Sequence, residues 1–464
     1  MTLVMKFGGT SVGDAVALQR TAGLVAHSHK ELGATAVVVS AMSKVTDLLL
    51  QGAHGAANGR ESDFRQAALA VREKHGTAVA ELLPPSAERD ALAAELDQFI
   101  DHFEGLCQAV LVLGELTPRA LDTISATGER MSARLLAAYL RHQGHQAQAL
   151  DATELIVTDD NFQAATPLLA ETAAQCQRRL RPLLDNGVLP IITGFIGATR
   201  DGLTTTLGRG GSDYSAAILG QALAANEVWI WTDVDGVMTA DPRYVPAART
   251  IPQLTYREVA ELAYYGAKVL HPKTIRPVVE NGIPLRIKNS FNPDHPGSLI
   301  LADNVVANGA IKGVTAVANL ALITVEGKGM MGVPGIAART FGAVADSQVS
   351  VLLISQASSE QSISFAVPDN VIERVIASLE RTLAVELQRQ DIDRVWAQRP
   401  VTIVTAVGAG MRGTPGIAGK IFSALGDNGV NVIAIAQGSS ECSISLVVDA
   451  AEGRAAVNHI HALI

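Results

Sequence analysis

A short apolar run, Leu3-Val4-Met5, leads straight into Lys6-Phe7-Gly8-Gly9-Thr10-Ser11, and a long helical pattern begins near Asp14. A strand, a glycine pair and a helix start in that order commit the first forty residues to a βαβ unit. Ala36–Val39 reads as the second strand and Asp14–His29 as the crossover helix. The loop is chemically suited to phosphate. Glycines let backbone N–H groups approach an anion, the helix start presents its positive dipole end, and Lys6 adds a full charge. Lysine precedes the glycines here, whereas in a Walker A loop it follows them.

A second glycine cluster, Leu207-Gly208-Arg209-Gly210-Gly211-Ser212-Asp213-Tyr214, opens another helical stretch, Ser215–Leu219. Further strands are expected at Ala147–Leu150, Leu189–Ile192, Val228–Trp231 and Leu285–Ile287, alternating with helices. Residues 45–120 read as almost wholly helical, with a loop at Leu83-Pro84-Pro85-Ser86. Such alternation predicts an α/β fold with a mostly parallel sheet between helical layers. Ligands then gather at the carboxyl ends of the strands, where both glycine loops and Thr232-Asp233 fall.

The turn-rich Asn292-Pro293-Asp294-His295-Pro296-Gly297 marks the expected domain boundary. Beyond it the chain repeats itself. Gly332-Val333-Pro334-Gly335-Ile336-Ala337, Gln356-Ala357-Ser358-Ser359-Glu360 and Ser362-Ile363-Ser364 each recur 81 residues later, as Gly413–Ala418, Gln437–Glu441 and Ser443–Ser445. Two copies make a duplicated small α+β module, not a solenoid. The expected domains are 1–300 and 301–464, with modules at about 319–385 and 400–464 and residues 311–317 completing the second.

Composition narrows the class. The 464 residues are 48% hydrophobic and 4% aromatic, as suits a globular α/β chain, and the net charge of −9 argues against nucleic acid or an anionic membrane surface. No stretch approaches the ~20 apolar residues of a membrane helix. Lys6 and the glycines interrupt any secretory signal core, and the isolated Cys107, Cys176 and Cys442 show neither disulfide nor metal spacing. A cytoplasmic protein is expected.

With these motifs assembled, the chain resembles an aspartokinase of the amino-acid kinase family over nearly its full length. The resemblance rests on Lys6–Val12, Thr127-Gly128-Glu129, Gly208–Tyr214, Trp231–Gly236 and Tyr265-Gly266-Ala267-Lys268-Val269-Leu270-His271-Pro272. The repeat resembles the paired ACT domains of that family, and the Gln-x-Ser-Ser-Glu turns resemble the threonine-sensitive type. The resemblance implies ATP-dependent phosphorylation of the side-chain carboxylate of L-aspartate, with Mg²⁺. It puts Lys6, Asp213 and Lys268 in catalysis, and Lys6, Gly8, Gly9, Thr232, Asp233, Asp241, Arg243 and Lys268 on the nucleotide. Ser40, Thr46, Glu129 and Arg209 would bind the substrate. Met238 departs from the family's usual aromatic residue near the nucleotide. No protein metal ligands are assigned, and His271 is read as structural.

Two other readings stay open: another amino-acid kinase, which Glu129 weighs against because a free α-ammonium wants a carboxylate, and a non-catalytic amino-acid sensor. Gln356 and Gln437 are the candidate effector residues, for threonine or, with Glu360 and Glu441 as partners, for lysine. Small modules with open sheet edges also predict a homodimer or a dimer of dimers.

Overall fold

The computed structural model describes residues 1–267, 270–302, 311–357, 361–438 and 441–464. The chain packs as two units. One holds Met1–Val237, Pro252–Tyr256 and Val269–Asp303; the other holds Met238–Ile251, Arg257–Lys268 and Asn304–Ile464.

The first unit is built on an eight-stranded sheet in the order 147–150, 189–193, 35–39, 3–7, 227–232, 285–289, 298–301, 253–255. Only the 285–289/298–301 pair is antiparallel. Leu3–Phe7 is a central strand, and Lys6 pairs with Val38 on one side and Ile230 on the other. Its continuous burial is what a parallel strand covered on both faces requires. The helix Ala15–Leu32 is capped by Asp14, whose carboxylate accepts from the Ala17 amide at 2.8 Å. The expected helical stretch resolves into Val45–Ala57, Glu61–Leu82, Ala87–Leu113 and Pro118–Ser125, with Ser86 capping the third. Phe64, Ile100 and Phe103 bury completely in the same core as Met5 and Phe7.

Several elements depart from the sequence reading. The strands Val157–Thr158, Ile196–Thr199 and Thr204–Thr206 make a small separate sheet, and Gln253–Thr255 and Ser298–Leu301 extend the main one. These runs span two to four residues, too short for any periodicity. Asn292–Gly297 is a turn inside the main sheet, joining Leu285–Asn289 to its antiparallel neighbour Ser298–Leu301.

The second unit carries a six-stranded antiparallel sheet in the order 353–356, 362–368, 313–326, 394–407, 443–449, 434–437. Its repeat is visible atom by atom. Thr324 and Ser364 hydroxyls meet at 2.9 Å, and so do those of Thr405 and Ser445. Gly335 and Gly416 cap the two helices with φ of 88° and 86°. The long strand Gly313–Glu326 serves both halves: it pairs with Arg394–Val407 along both its ends, Gly313–Val317 with Ile403–Val407 and Leu320–Glu326 with Arg394–Val401, and on its other side Leu320–Glu326 pairs with Ser362–Pro368. Segments from the first three hundred residues, Met238–Ile251 and Arg257–Lys268, are built into this unit. Glu258, fully buried, takes the Ala409 amide at 2.7 Å and the Lys312 ammonium at 3.1 Å. Thr239 meets His461 Nε2 at 2.9 Å. Among the described residues no helix is long and apolar enough to cross a membrane.

Gly297 gives the sharpest test of the first unit. Its φ is +76°, and a Cβ there would lie 2.0 Å from the Ile287 carbonyl oxygen. Gly297→Ala should destabilise the unit by roughly 3 kcal/mol or more, combining left-handed strain with a backbone clash. Calorimetry would show a lowered first melting transition; an unchanged profile would contradict this turn geometry.

Candidate active site

The carboxyl end of Leu3–Phe7 delivers Lys6 and the glycine pair to one edge of the main sheet. The Gly8 amide points to the Trp231 carbonyl at 3.4 Å, and the Ser40 amide donates to the Phe7 carbonyl at 3.1 Å. Residues Gly9–Val12 form a single 3-10 turn, held by the Ser43 hydroxyl on the Gly9 carbonyl at 2.8 Å and the Thr21 hydroxyl on the Ser11 carbonyl at 2.6 Å. Opposite, Gly210 adopts φ 71° and starts the helix Gly211–Ala222, which places Asp213 in the first turn. Lys6 Nζ lies 2.7 Å from Asp213 Oδ1, both side chains being under a fifth exposed. The two glycine loops, two hundred residues apart, thus meet through one ion pair.

Between them lies a cavity of about 540 Å³, lined by Lys6, Gly9, Ser40, Thr46, Glu129, Arg209 and Asp213 among others. That volume suits a small-molecule site. Every expected substrate residue faces it. Arg209 and Lys44 line it with no ion-pair partner among the described residues, and the carboxyl groups of Asp47, Asp122, Glu129 and Asp213 share the same wall.

Glu129 is the residue of greatest electrostatic consequence. It is 4% exposed in the first turn of Thr127–His142. One carboxyl oxygen accepts from the Ala41 amide at 3.2 Å; the other, Oε2, has no partner. Burial pushes its pKa up to about 8, against the smaller effect of the amide bonds. A buried carboxyl with an unused oxygen fits a cationic ligand group.

Sequence reasoning missed several wall residues. Asp122, 1% exposed, accepts from the Gln163 amide at 2.9 Å, the Thr206 amide at 3.0 Å and the Thr206 hydroxyl at 2.7 Å. It thereby ties the cavity wall together, and burial raises its pKa in spite of those donors. Lys44, Gln163 and Phe195 line the cavity with φ of 68°, 69° and 70°. Left-handed non-glycine residues cost of order 1 kcal/mol each and concentrate where a site needs a fixed backbone. No residue type in the sequence announces them.

The nucleotide candidates are less gathered. Gly8 sits beside Lys6 Nζ, and the Thr232 hydroxyl donates to Asp233 at 3.2 Å; none of these three residues lines the cavity. Asp241 and Arg243 belong to the second unit, where the Arg243 guanidinium grips the Asp241 carboxylate through both oxygens. Lys268 lies outside the described residues. Met238 takes the Thr250 hydroxyl on its sulfur at 3.6 Å. His271 caps the helix Pro272–Glu280, its Nδ1 accepting from the Lys273 amide at 3.3 Å. Burial pushes the Cys107 and Cys176 thiols up to about 12, which leaves them poor nucleophiles. Gln356 and Gln437 are exposed at the ends of the two outer strands of the regulatory sheet.

Comparison with known proteins agrees with this architecture. Residues 1–289 match the amino acid kinase family, and residues 323–383 and 404–463 each match the ACT domain. Bifunctional aspartokinase/homoserine dehydrogenase 1, chloroplastic, of Arabidopsis thaliana is 37% identical across 99% of this chain and 50% of its own length. The chain therefore spans about half the length of the bifunctional relatives it matches. Aspartokinase 3, chloroplastic, of the same plant is 36% identical across 99% of this chain and 81% of its own. E. coli aspartokinase III in complex with aspartate and ADP superposes with a TM-score of 0.79 at 31% identity, covering 100% of both chains. The same enzyme is known in complex with lysine and aspartate in a T-state. The chain belongs to the aspartokinase family.

Proposed function

We propose that this chain transfers the γ-phosphate of ATP to the side-chain carboxylate of L-aspartate, giving 4-phospho-L-aspartate and ADP. The observation that carries the proposal is Glu129, a buried carboxyl with one oxygen unpartnered on the wall of a cavity that also holds Arg209 and Lys6. An α-ammonium supplies the charge that Glu129 lacks, and Arg209 takes the α-carboxylate in a planar fork. Ser40 and Thr46 provide hydroxyls for the substrate carboxylates. The E. coli relative bound to aspartate and ADP supports the same substrate pair.

The nucleophile is a carboxylate, ionised near pH 7, so no general base is needed. The work lies in alignment and charge neutralisation. Lys6 meets the transferring phosphate and the Gly8 and Gly9 amides cradle it, while Asp213 fixes the ammonium position of Lys6. The nucleotide roles of Thr232, Asp233, Asp241, Arg243 and Lys268 rest on family resemblance alone. Among the described residues no group of three His, Cys, Asp or Glu could hold a metal ion. When bound, Mg²⁺ would neutralise phosphate charge.

The regulatory half of the proposal is feedback inhibition by L-threonine at Gln356 and Gln437, with L-lysine as the alternative. Glu441 favours the neutral effector, because its carboxylate is already engaged by the Gly413 amide at 2.9 Å. Glu360 lies outside the described residues.

Three outcomes are expected. With ATP, Mg²⁺, aspartate and hydroxylamine, the chain should form the aspartyl hydroxamate, and Lys6→Ala should lower turnover by about two to three orders of magnitude. Product from another acidic amino acid in place of aspartate would reject the substrate. Aspartate binding should expel a proton, since the unliganded Glu129 holds one up to about pH 8 and its ionised form is the one the ammonium selects. Affinity should therefore rise roughly tenfold per pH unit from 6 to 8 and level off above. Calorimetry in buffers of different ionisation enthalpy reads that proton, and Glu129→Gln should abolish its release. Threonine should inhibit, less so in Gln356→Ala and Gln437→Ala, with coupling of ~1–3 kcal/mol; inhibition by lysine alone would reverse the effector assignment.

A further inference from the structure

Arg209 stands between two left-handed glycines, Gly208 at φ 78° and Gly210 at φ 71°. Glycine leaves φ nearly unrestricted, so the local sequence does not fix where the guanidinium stands. The Arg209 side chain makes no hydrogen bond or ion pair of its own among the described residues. Its place in the cavity wall must come from anchors on the neighbouring backbone. Two of these are main-chain bonds: the Leu207 amide donates to the Phe195 carbonyl at 2.9 Å, and the Gly211 amide to the Gly208 carbonyl at 2.9 Å. A third is a side chain, Asp122.

Asp122 belongs to the helix Pro118–Ser125 and lines the same cavity as Arg209. Its Oδ2 accepts from the amides of Gln163 and Thr206, and its Oδ1 accepts from the Thr206 hydroxyl. Thr206 ends the strand Thr204–Thr206 and stands three residues before Arg209. Gln163 packs against the same junction, because a Cβ on Gly208 would lie 3.0 Å from the Gln163 carbonyl oxygen. One carboxylate therefore grips both segments whose close approach sets the turn. It also helps to hold Gln163 at φ 69°, a conformation that a non-glycine residue keeps only where its surroundings over-determine it. Removing the carboxylate would take the partner from three donors at once and leave the buried Thr206 amide unsatisfied.

We infer that Asp122 is a positioning residue for recognition of the substrate α-carboxylate: it sets the turn Leu207–Gly210 so that Arg209 reaches that group. The inference rests on the reading that Arg209 takes the α-carboxylate. Both oxygens of Asp122 are already engaged by the protein, so it acts through Arg209 and not by touching the substrate. A residue that only held the fold together would weaken every ligand and slow turnover alike. A residue that places Arg209 governs a contact made equally in the ground state and the transition state, so its loss raises KM for aspartate and leaves kcat nearly level.

The test is a double-mutant cycle in aspartate affinity, read by calorimetry, with steady-state kinetics of the single variants beside it. Asp122→Ala should weaken aspartate at least roughly tenfold, while KM for ATP and kcat stay within about threefold. Asp122→Asn should restore most of the affinity, since its carbonyl can accept both amides while its NH₂ group donates to the Thr206 hydroxyl. In an Arg209→Ala background, Asp122→Ala should cost aspartate less than about twofold more, because the group it positions is gone. Thr206→Val, similar in volume and lacking one of the three bonds, carries the same cycle with a loss of roughly threefold if Asp122→Ala does not fold. Equal losses with and without Arg209, or a fall in kcat as large as the rise in KM, would overturn the inference. Wild-type affinity in both Asp122→Ala and Thr206→Val, alongside weakened binding in Arg209→Ala, would sink it alone. Unchanged aspartate affinity in Arg209→Ala would instead refute the role given to Arg209, and the inference with it.

Discussion

Everything at the phosphate-facing edge depends on Leu3–Phe7 being hydrogen-bonded on both sides by parallel neighbours. Parallel pairing makes the strands 3–7, 35–39, 189–193 and 227–232 end at one edge of the sheet. The segments that follow them, Gly8–Gly9, Ser40–Thr46 and Gly194–Phe195, are therefore neighbours without being close in sequence. A parallel sheet also buries both faces, so this edge is where polar backbone groups are left for ligands. The site is a product of topology before it is a product of side chains.

Electrostatics then separate the roles within the cavity. The cavity gathers both signs of charge, Lys6, Lys44 and Arg209 with Asp47, Asp122, Glu129 and Asp213. Lys6 is nearly buried and lies 2.7 Å from Asp213; removing that carboxylate would leave the lysine unpaired in a low-dielectric wall. Glu129 shows the opposite solution. With no cation paired to it, burial pushes its pKa up to about 8. One carboxylate is compensated by a lysine and the other is not.

The legible parts of the sequence were those whose chemistry is local. Strand, glycine pair and helix start are contiguous at residues 3–14, so the strand–turn–helix order could be read directly, and the repeat announced itself by strict spacing. The ion pair between Lys6 and Asp213 joins residues far apart in the chain, and no local spacing announces it. Asp122 was invisible because its meaning comes from Gln163 and Thr206, both distant in the chain. The left-handed conformations at Lys44, Gln163 and Phe195 were equally hidden, since the surrounding fold imposes them against local preference. Strands of two to four residues gave no periodicity, and Asn292–Gly297 read as a boundary because a hairpin turn and a linker share the same residue types.

The strand Gly313–Glu326 is divided between the two regulatory halves: its first residues pair with Ile403–Val407 and its last with Ser362–Pro368. Its last residues belong to the first half, and residues 313–317 precede both. A ribosome must therefore release the whole of the first half before residues 313–317 meet the strand that shields them. During that interval they form an unpaired edge, and long-range antiparallel closure of this kind is slow. The duplicated modules are consequently not interchangeable parts that could be trimmed or exchanged singly. Cutting between them would deprive the second of a strand and expose the backbone of Ile403–Val407, so the repeat is inherited, synthesised and folded as one indivisible body.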